Sequence, residues 1–380
     1  MSGISVRPIT DADETFWRVR SLTYNNAKPI EAEQRADLTW NGYVAEKGSE
    51  TVGIYALLPF ETTRGESTLK AAGIAGVAVD PVLRRGGNGT QMMQAAVQDL
   101  YASGHDLASL AAFRETFYRR VGFATCGMRY KITCPSNRLP KLNAELPVHR
   151  LETHDPAVLQ PCLDSFARAR SGVNLRDEVL WRRRLNPNQT IYVAGDPVEA
   201  YALVQHDWQF WNVQSVDEFV WSSMRGYQSI LSFFEQLGVN KSAMEWCEPG
   251  DSPFYSQFLD QGPKIEVDRP FMYRVIDFRQ ALSKLSPRGK GSFVLELLDP
   301  DIPQNQGTWR ISWADGKVTT EACIDVPDLV APITAWTQAF LGDPSLDRLV
   351  RLGAVEVRGD RWQEATQLLS PRPVVMMDFF

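Results

Sequence analysis

Val77-Ala78-Val79-Asp80-Pro81-Val82-Leu83-Arg84-Arg85-Gly86-Gly87-Asn88-Gly89-Thr90 decides how this chain is read. The stretch begins as a buried strand over Ala75–Val79, turns through glycines, and enters a helix from Gly89. Met92, Met93, Ala96, Val97 and Leu100 recur there at helical spacing, so that one face packs on a sheet. A glycine-rich turn into a helix start suits a phosphate. Glycine lets the backbone approach closely, the first amides of the helix lack acceptors, and the helix dipole favours negative charge there. Arg84 and Arg85 add cationic donors. A dinucleotide fold is disfavoured, because the turn follows a hairpin and Gly86-Gly87-Asn88-Gly89 lacks that fingerprint's spacing. An ordinary glycine-rich strand-to-helix turn is the plain alternative.

Upstream, Tyr43–Ala45 and Val52–Leu57 form a predicted hairpin, and downstream comes Phe117-Tyr118-Arg119-Arg120-Val121-Gly122-Phe123. The second block repeats this pattern in outline. Tyr192–Ala194 with Ala200–Leu203 echoes the hairpin, and Phe254-Tyr255 echoes Phe117-Tyr118. In the third block, Phe293, Leu295 and Leu297 alternate, Trp309–Trp313 runs into a turn at Asp315-Gly316, and a helix is expected after Pro327 with Val330, Ile333, Trp336 and Phe340 on one side and Gly342 at its end. Punctuation near Pro135–Pro147 and Ser283–Gly291 divides the chain into 1–138, 139–284 and 285–380.

The 380 residues, 44% hydrophobic, suffice for several cores. A net charge of −6 argues against a broad basic surface for nucleic acid. Five scattered cysteines suit a reducing compartment, and neither they nor the four histidines show metal spacing. No membrane span or signal peptide is legible, so the cytoplasm is expected. Asn88-Gly89-Thr90 is a glycosylation sequon inside the proposed phosphate turn, where a glycan would block the ligand.

Arg84-x-x-Gly87-x-Gly89 after Val77-x-Val79 resembles the acetyl-CoA motif of the GNAT N-acetyltransferases, and Tyr118-x-x-x-Gly122-Phe123 resembles the segment that closes their cofactor site. The resemblance implies acetyl-CoA as donor, without a metal. Backbone groups of Val77, Ala78 and Val79 would meet the pantetheine arm, and amides of Arg85, Gly86, Gly87, Asn88, Gly89 and Thr90 the pyrophosphate. Phe113 and Arg114 would offer further backbone contacts. Tyr118 would be the general acid that protonates the departing thiolate.

The order of parts resembles the enhanced intracellular survival family: two tandem GNAT folds, then a sterol-carrier-protein-like α+β domain. That resemblance implies that the second unit, which lacks the motif over Val216–Tyr227, binds no acetyl-CoA. It also implies that the carboxylate of the last residue, Phe380, acts as base, with Asp378 as the nearest further carboxylate. The acceptor would be an aminoglycoside- or polyamine-like amine or a lysine side chain, and the assembly a homo-hexamer. Tyr24, Glu31, Glu33 and Trp40 lie in the helical region that borders the acceptor in such enzymes. Trp208 and Trp211 read equally as core or as ligand contacts. Trp309, Trp313, Trp336 and Phe340 read equally as core or as the lining of a lipid cavity, which would make the chain a lipid or acetyl-CoA binder without turnover.

Overall fold

The computed structural model describes residues 3–10, 13–31, 35, 39–254, 262–268 and 271–380. Glu33 and Tyr255 lie outside them. The first part contains β1 (Ser5–Pro8), α1 (Glu14–Tyr24), β2 (Asn41–Lys47), β3 (Glu50–Arg64), β4 (Ser67–Val79), α2 (Asn88–Ala102), β5 (Leu107–Ala111), α3 (Glu115–Arg119), β6 (Ala124–Thr125) and β7 (Arg129–Pro135). The middle contains β8 (Val148–Arg150), α4 (Pro156–Arg168), β9 (Ser171–Leu175), α5 (Glu178–Arg184), β10 (Thr190–Ala194), β11 (Ala200–Val204), β12 (Val213–Ser215), β13 (Glu218–Trp221), α6 (Met224–Leu237), β14 (Ala243–Pro249), β15 (Lys264–Asp268), β16 (Phe271–Val275) and α7 (Phe278–Ser283). The last part contains β17 (Gly291–Leu298), β18 (Gly307–Ala314), β19 (Lys317–Ala322), β20 (Leu329–Pro332), α8 (Ile333–Leu341), α9 (Leu346–Arg351), β21 (Glu356–Val357) and α10 (Trp362–Leu368).

The first sheet runs β1-β2-β3-β4-β5-β16-β6, with β9 on the far end of β3. The expected hairpin is β2–β3, with Tyr43 opposite Tyr55. Strand β4 is longer at its start than its apolar stretch predicts, because β3 pairs with it back to Arg64–Ser67. The parallel pairing of β4 with β5 stops at Ile74–Leu110, and beyond it, among the described residues, β4 pairs with β3 alone. This divergence leaves one edge of Ala75–Val79 without a strand partner. The register of β3 and β4 shifts here, and Gly76 has φ +58, a conformation that costs a side-chain-bearing residue strain.

The middle part repeats the device. Strand β12 pairs parallel with β14 from Val213–Ala243 to Ser215–Glu245, and then the chain leaves β14 to join β11 as β13. The two units exchange strands: β7 pairs with β14 and β15, whereas β16 lies between β5 and β6 in the first sheet. Such exchange buries apolar surface across the junction and couples the units mechanically.

In the last part β17 is central, flanked by β18 and by β20 in parallel. The helix expected after Pro327 begins later, at Ile333. Val330 lies in β20 opposite Glu296, where ladder bonds to β17 suit a β-branched residue better than a helix does. Gly342 ends the helix at φ +107, as expected. Trp309, Trp313, Trp336 and Phe340 are all buried in one hydrophobic core with α7 and β17.

This last part braces the first. Arg274 on β16 is fully buried, donates to Val121 O at 2.5 Å and to Asp299 at 2.6 Å, and meets Asp301 at 3.3 Å. Gln94 and Gln98 on α2 donate to the side chain and backbone of the same Asp301. Among the described residues no helix is long and apolar enough to cross a membrane, and no three His, Cys, Asp or Glu side chains converge as metal ligands would.

Candidate active site

The turn after β4 leads into a helix start that no side chain caps. Asp80 accepts from Val82 N and pairs with Arg18 at 2.8 Å, which pins the start of the turn. Arg85 and Gly87 both have positive φ, +68 and +78, so the chain reverses sharply into α2. Gly87 is the N-cap and supplies no side-chain acceptor, so the first-turn amides of this 15-residue helix are left for a ligand. Asn88 turns its side chain back to Leu83 O at 3.0 Å, and Arg84 reaches Val79 O at 3.2 Å. Arg84, Arg85, Gly86 and Gly87 are exposed, whereas Asn88, Gly89 and Thr90 are half-buried. A side chain on Gly89 would meet Phe117 at 3.3 Å and Val79 at 3.4 Å, so glycine lets the helix start lie against both the strand and α3.

In the middle unit the corresponding helix start is already filled. Ser223 caps α6 by accepting from Gly226 N, and the Glu199 carboxylate takes hydrogen bonds from Ser223 Oγ and Arg225 Nε. The Glu199 carboxylate, held by Ser223 and Arg225, thus lies beside this side-chain-capped helix start.

Tyr118 lies on α3, packed among Phe113, Phe117 and Phe123 with ring centroids 5.5, 4.9 and 6.2 Å away. Its ring is buried, yet among the described residues its hydroxyl has no hydrogen-bond partner. Burial, aided by the nearby Tyr24, raises its pKa, which keeps it protonated at neutral pH. Phe113 is 72% exposed beside it, and Arg114 is the N-cap of α3. Tyr24, at the end of α1, donates to Val77 O at 2.8 Å. Tyr24, Val77, Arg84 and Tyr118 therefore share one neighbourhood. Trp40 packs at a tilt against Phe16 and Trp17, and Glu31 is exposed.

The chain's end lies on the same strand. A Cβ on Gly73 would come within 2.7 Å of the Phe380 ring, which also packs on Phe60 at 5.9 Å. The path there is fixed: Ser171 N donates to Pro373 O, and Val375 N returns to Ser171 O. Val375, Met376 and Met377 then line a small cleft of about 50 Å³ where β13 has parted from β14. The tail thus borders the middle unit's own strand divergence. Asp378 is anchored by Arg176, whose Nε donates to it at 2.9 Å while its two terminal nitrogens hold Glu218 at 2.8 and 2.6 Å. Arg176 and Glu218 are completely buried. Burial pushes the Glu218 carboxyl up, but Arg176 and Arg184 outweigh it and hold the group at about 2. For Asp378 burial prevails over Arg176, and its pKa is raised. Asp378 thus serves the tail's anchorage.

Sequence reading did not single out Arg176 or Glu218; a charged residue gives no signal of its burial until the fold surrounds it. Trp208 and Trp211 are neither core nor part of this site. They are 85% and 74% exposed on a loop whose carbonyls at Asp207 and Gln209 are held by Lys241.

Comparison with known proteins agrees with this fold. Residues 6–126 match the acetyltransferase (GNAT) domain, and residues 278–377 match the sterol carrier protein domain. An uncharacterised N-acetyltransferase of Streptomyces coelicolor is 26% identical over 80% of this chain and 79% of its own length. Another, of Streptomyces avermitilis, is 24% identical over 93% of this chain and 92% of its own. Among solved structures, a probable N-acyltransferase of Enterococcus faecalis has a TM-score of 0.87 at 18% identity and covers 99% of this chain and 100% of its own. An Eis protein of Mycobacterium abscessus has a TM-score of 0.77 at 19% identity, with the same coverage. The chain thus carries an acetyltransferase (GNAT) domain over residues 6–126 and a sterol carrier protein domain over residues 278–377, is similar in sequence to N-acetyltransferases, and shares the fold of these solved structures over almost its whole length.

Proposed function

We propose that this protein transfers the acetyl group of acetyl-CoA to a primary amine at the divergence of β4 from β5. The observation that carries the reading is the coincidence, around the end of β4, of an edge without a strand partner at Ala75–Val79, a helix start after Gly87 without a side-chain cap, and the buried Tyr118 phenol, whose hydroxyl has no hydrogen-bond partner among the described residues.

The amides around the turn hold the pyrophosphate, and the open edge of Val77–Val79 pairs with the pantetheine arm. The amine, once neutral, attacks the thioester carbonyl and forms the C–N bond. A backbone amide near Val79 stabilises the oxyanion, the C–S bond breaks, and Tyr118 gives its proton to the sulfur. The amine's surplus proton goes to the carboxylate of Phe380. A free α-carboxyl has a pKa of about 3.3–3.7, so partial burial or a water relay must assist it. The resemblance implies an aminoglycoside- or polyamine-like acceptor and a homo-hexamer.

The test incubates the full chain with acetyl-CoA, a thiol reagent, and separate panels of polyamines, aminoglycosides and lysine peptides. CoA released only when an amine is present supports the reading. Retention of lipid or acetyl-CoA without amine-dependent release would overturn it, and release only with peptide would reassign the acceptor to protein lysine. Light scattering tests the hexamer.

A further inference from the structure

Within this acetyltransferase reading, the acceptor side of the site is not shaped for a pure polycation. Arg20 on α1 is half-buried, and its guanidinium lies 4.3 Å over the ring of Trp40 and 5.9 Å from that of Tyr24. A Cβ on Gly76 would come within 2.7 Å of its Nη1, so the cation rests directly on the strand where β4 leaves β5. The other N-terminal arginines have carboxylate partners: Arg7 pairs with Asp13 and Glu46, Arg18 with Asp80, and Arg35 with Glu14. Among the described residues Arg20 has none. Burial disfavours its charge, and the Tyr24 phenol beside it offsets this only in part. A second cation stands at the mouth. Arg183 of the middle unit is exposed and reaches Thr39 Oγ1 at 2.6 Å, next in sequence to Trp40.

We infer that Arg20, with Arg183 at the rim, is a specificity site for the acceptor, and that the acceptor is a small amine that also carries an anionic oxyacid group, a carboxylate or a phosphate. The layout orients such a molecule. Gly76, under the guanidinium, follows Gly73, under the Phe380 ring, by roughly 10 Å of strand. The anionic end pairs with Arg20, a planar donor suited to carboxylate and phosphate alike. The ammonium end faces the chain's terminal carboxylate, beside Tyr24 and Tyr118. A polycation would meet repulsion at the first of these positions, whereas a dipolar amine is matched at both.

The experiment compares matched amines that differ only in the oxyacid group: cadaverine with lysine, histamine with histidine, ethanolamine with phosphoethanolamine, and glucosamine with glucosamine 6-phosphate. Amine-dependent CoA release is followed for the native chain, Arg20→Gln and Arg20→Lys. For at least one pair, kcat/KM should favour the acid-bearing member by about tenfold or more, the range of a charge-assisted hydrogen bond. Arg20→Gln should abolish that preference through KM and leave the partner that lacks the acid no worse a substrate than in the native chain, while Arg20→Lys retains part of it. The carboxylate and phosphate pairs distinguish the two oxyacids. Equal or better use of the amines without an acid, or an equal loss for both members in Arg20→Gln, would overturn the inference and leave the acetyltransferase reading standing. No amine-dependent release in any arm would overturn both.

Discussion

Replacing Arg176 by Met removes the cation that anchors Asp378 of the tail to the middle unit and leaves two buried carboxylates, Asp378 and Glu218, without it. In the native chain Arg176 makes three hydrogen bonds, to Asp378 and to both oxygens of Glu218, and Tyr201 adds a fourth to Glu218 at 2.8 Å. Without it, Arg184 is the remaining cation paired with Glu218. Breaking a buried pair by deleting one partner costs about 3–5 kcal/mol, so thermal unfolding should fall by roughly 6–20 °C at neutral pH. The pH dependence gives a sharper check. Native Glu218 is held at about 2, below its unfolded value, so its contribution is complete above about 4.5 and is lost as pH falls toward 2. In Arg176→Met burial dominates for Glu218 as well as Asp378, protonation relieves both, and the deficit against native should shrink as pH falls from 7.5 to 4.5. Turnover should drop by about tenfold or more through kcat, since Phe380 is two residues from the lost anchor, while acetyl-CoA affinity stays near native. Differential scanning fluorimetry across pH and single-turnover kinetics read these effects. A deficit below about 1 kcal/mol, or one that is unchanged between the two pH values, would refute the buried-latch argument.

Tyr118→Phe should lower kcat by about 10²–10⁴ with little change in melting temperature, because the hydroxyl has no partner to lose; steady-state kinetics and a thermal scan check both. Gly87→Ala should weaken CoA binding by about tenfold in calorimetry, since φ +78 opposes a side chain at the helix start; unchanged affinity would remove the phosphate assignment. Extending the chain by one residue after Phe380 should reduce kcat and leave the affinity for acetyl-CoA unaltered, and an unaffected rate would eliminate the terminal carboxylate as base. Glu248 is buried and pushed up to about 7 despite bonds from Tyr227, Trp246 and Ser252, so native stability should decline as pH rises from about 4.5 through 7. Glu248→Gln should flatten that decline in denaturant titrations, and a persisting slope would argue against this carboxyl.

The sequence by itself determined the features that depend on local chemistry. Glycines at 87 and 89, the arginines at 84 and 85 and the apolar stripe from Met92 specify a strand-to-helix anion turn wherever they are placed, because unpaired amides and backbone freedom are properties of the segment itself. The hairpin at Tyr43–Leu57 and its echo at Tyr192–Leu203 were legible for the same reason, as alternation needs no distant partner. Val330 was misread, since a β-branched residue near a helix start joins a strand only when β17 offers it a ladder. Tertiary structure decided everything that rests on long-range neighbours: the exchange of β7 and β16 between units, the strand divergence, and the meeting of Tyr24 with Val77 and of Phe380 with Gly73. Burial made the difference for charge as well. Arg176 and Arg20 look alike in sequence, yet the fold surrounds one with two carboxylates and leaves the other half-buried without an acid, and that contrast separates an anchor from a binding group.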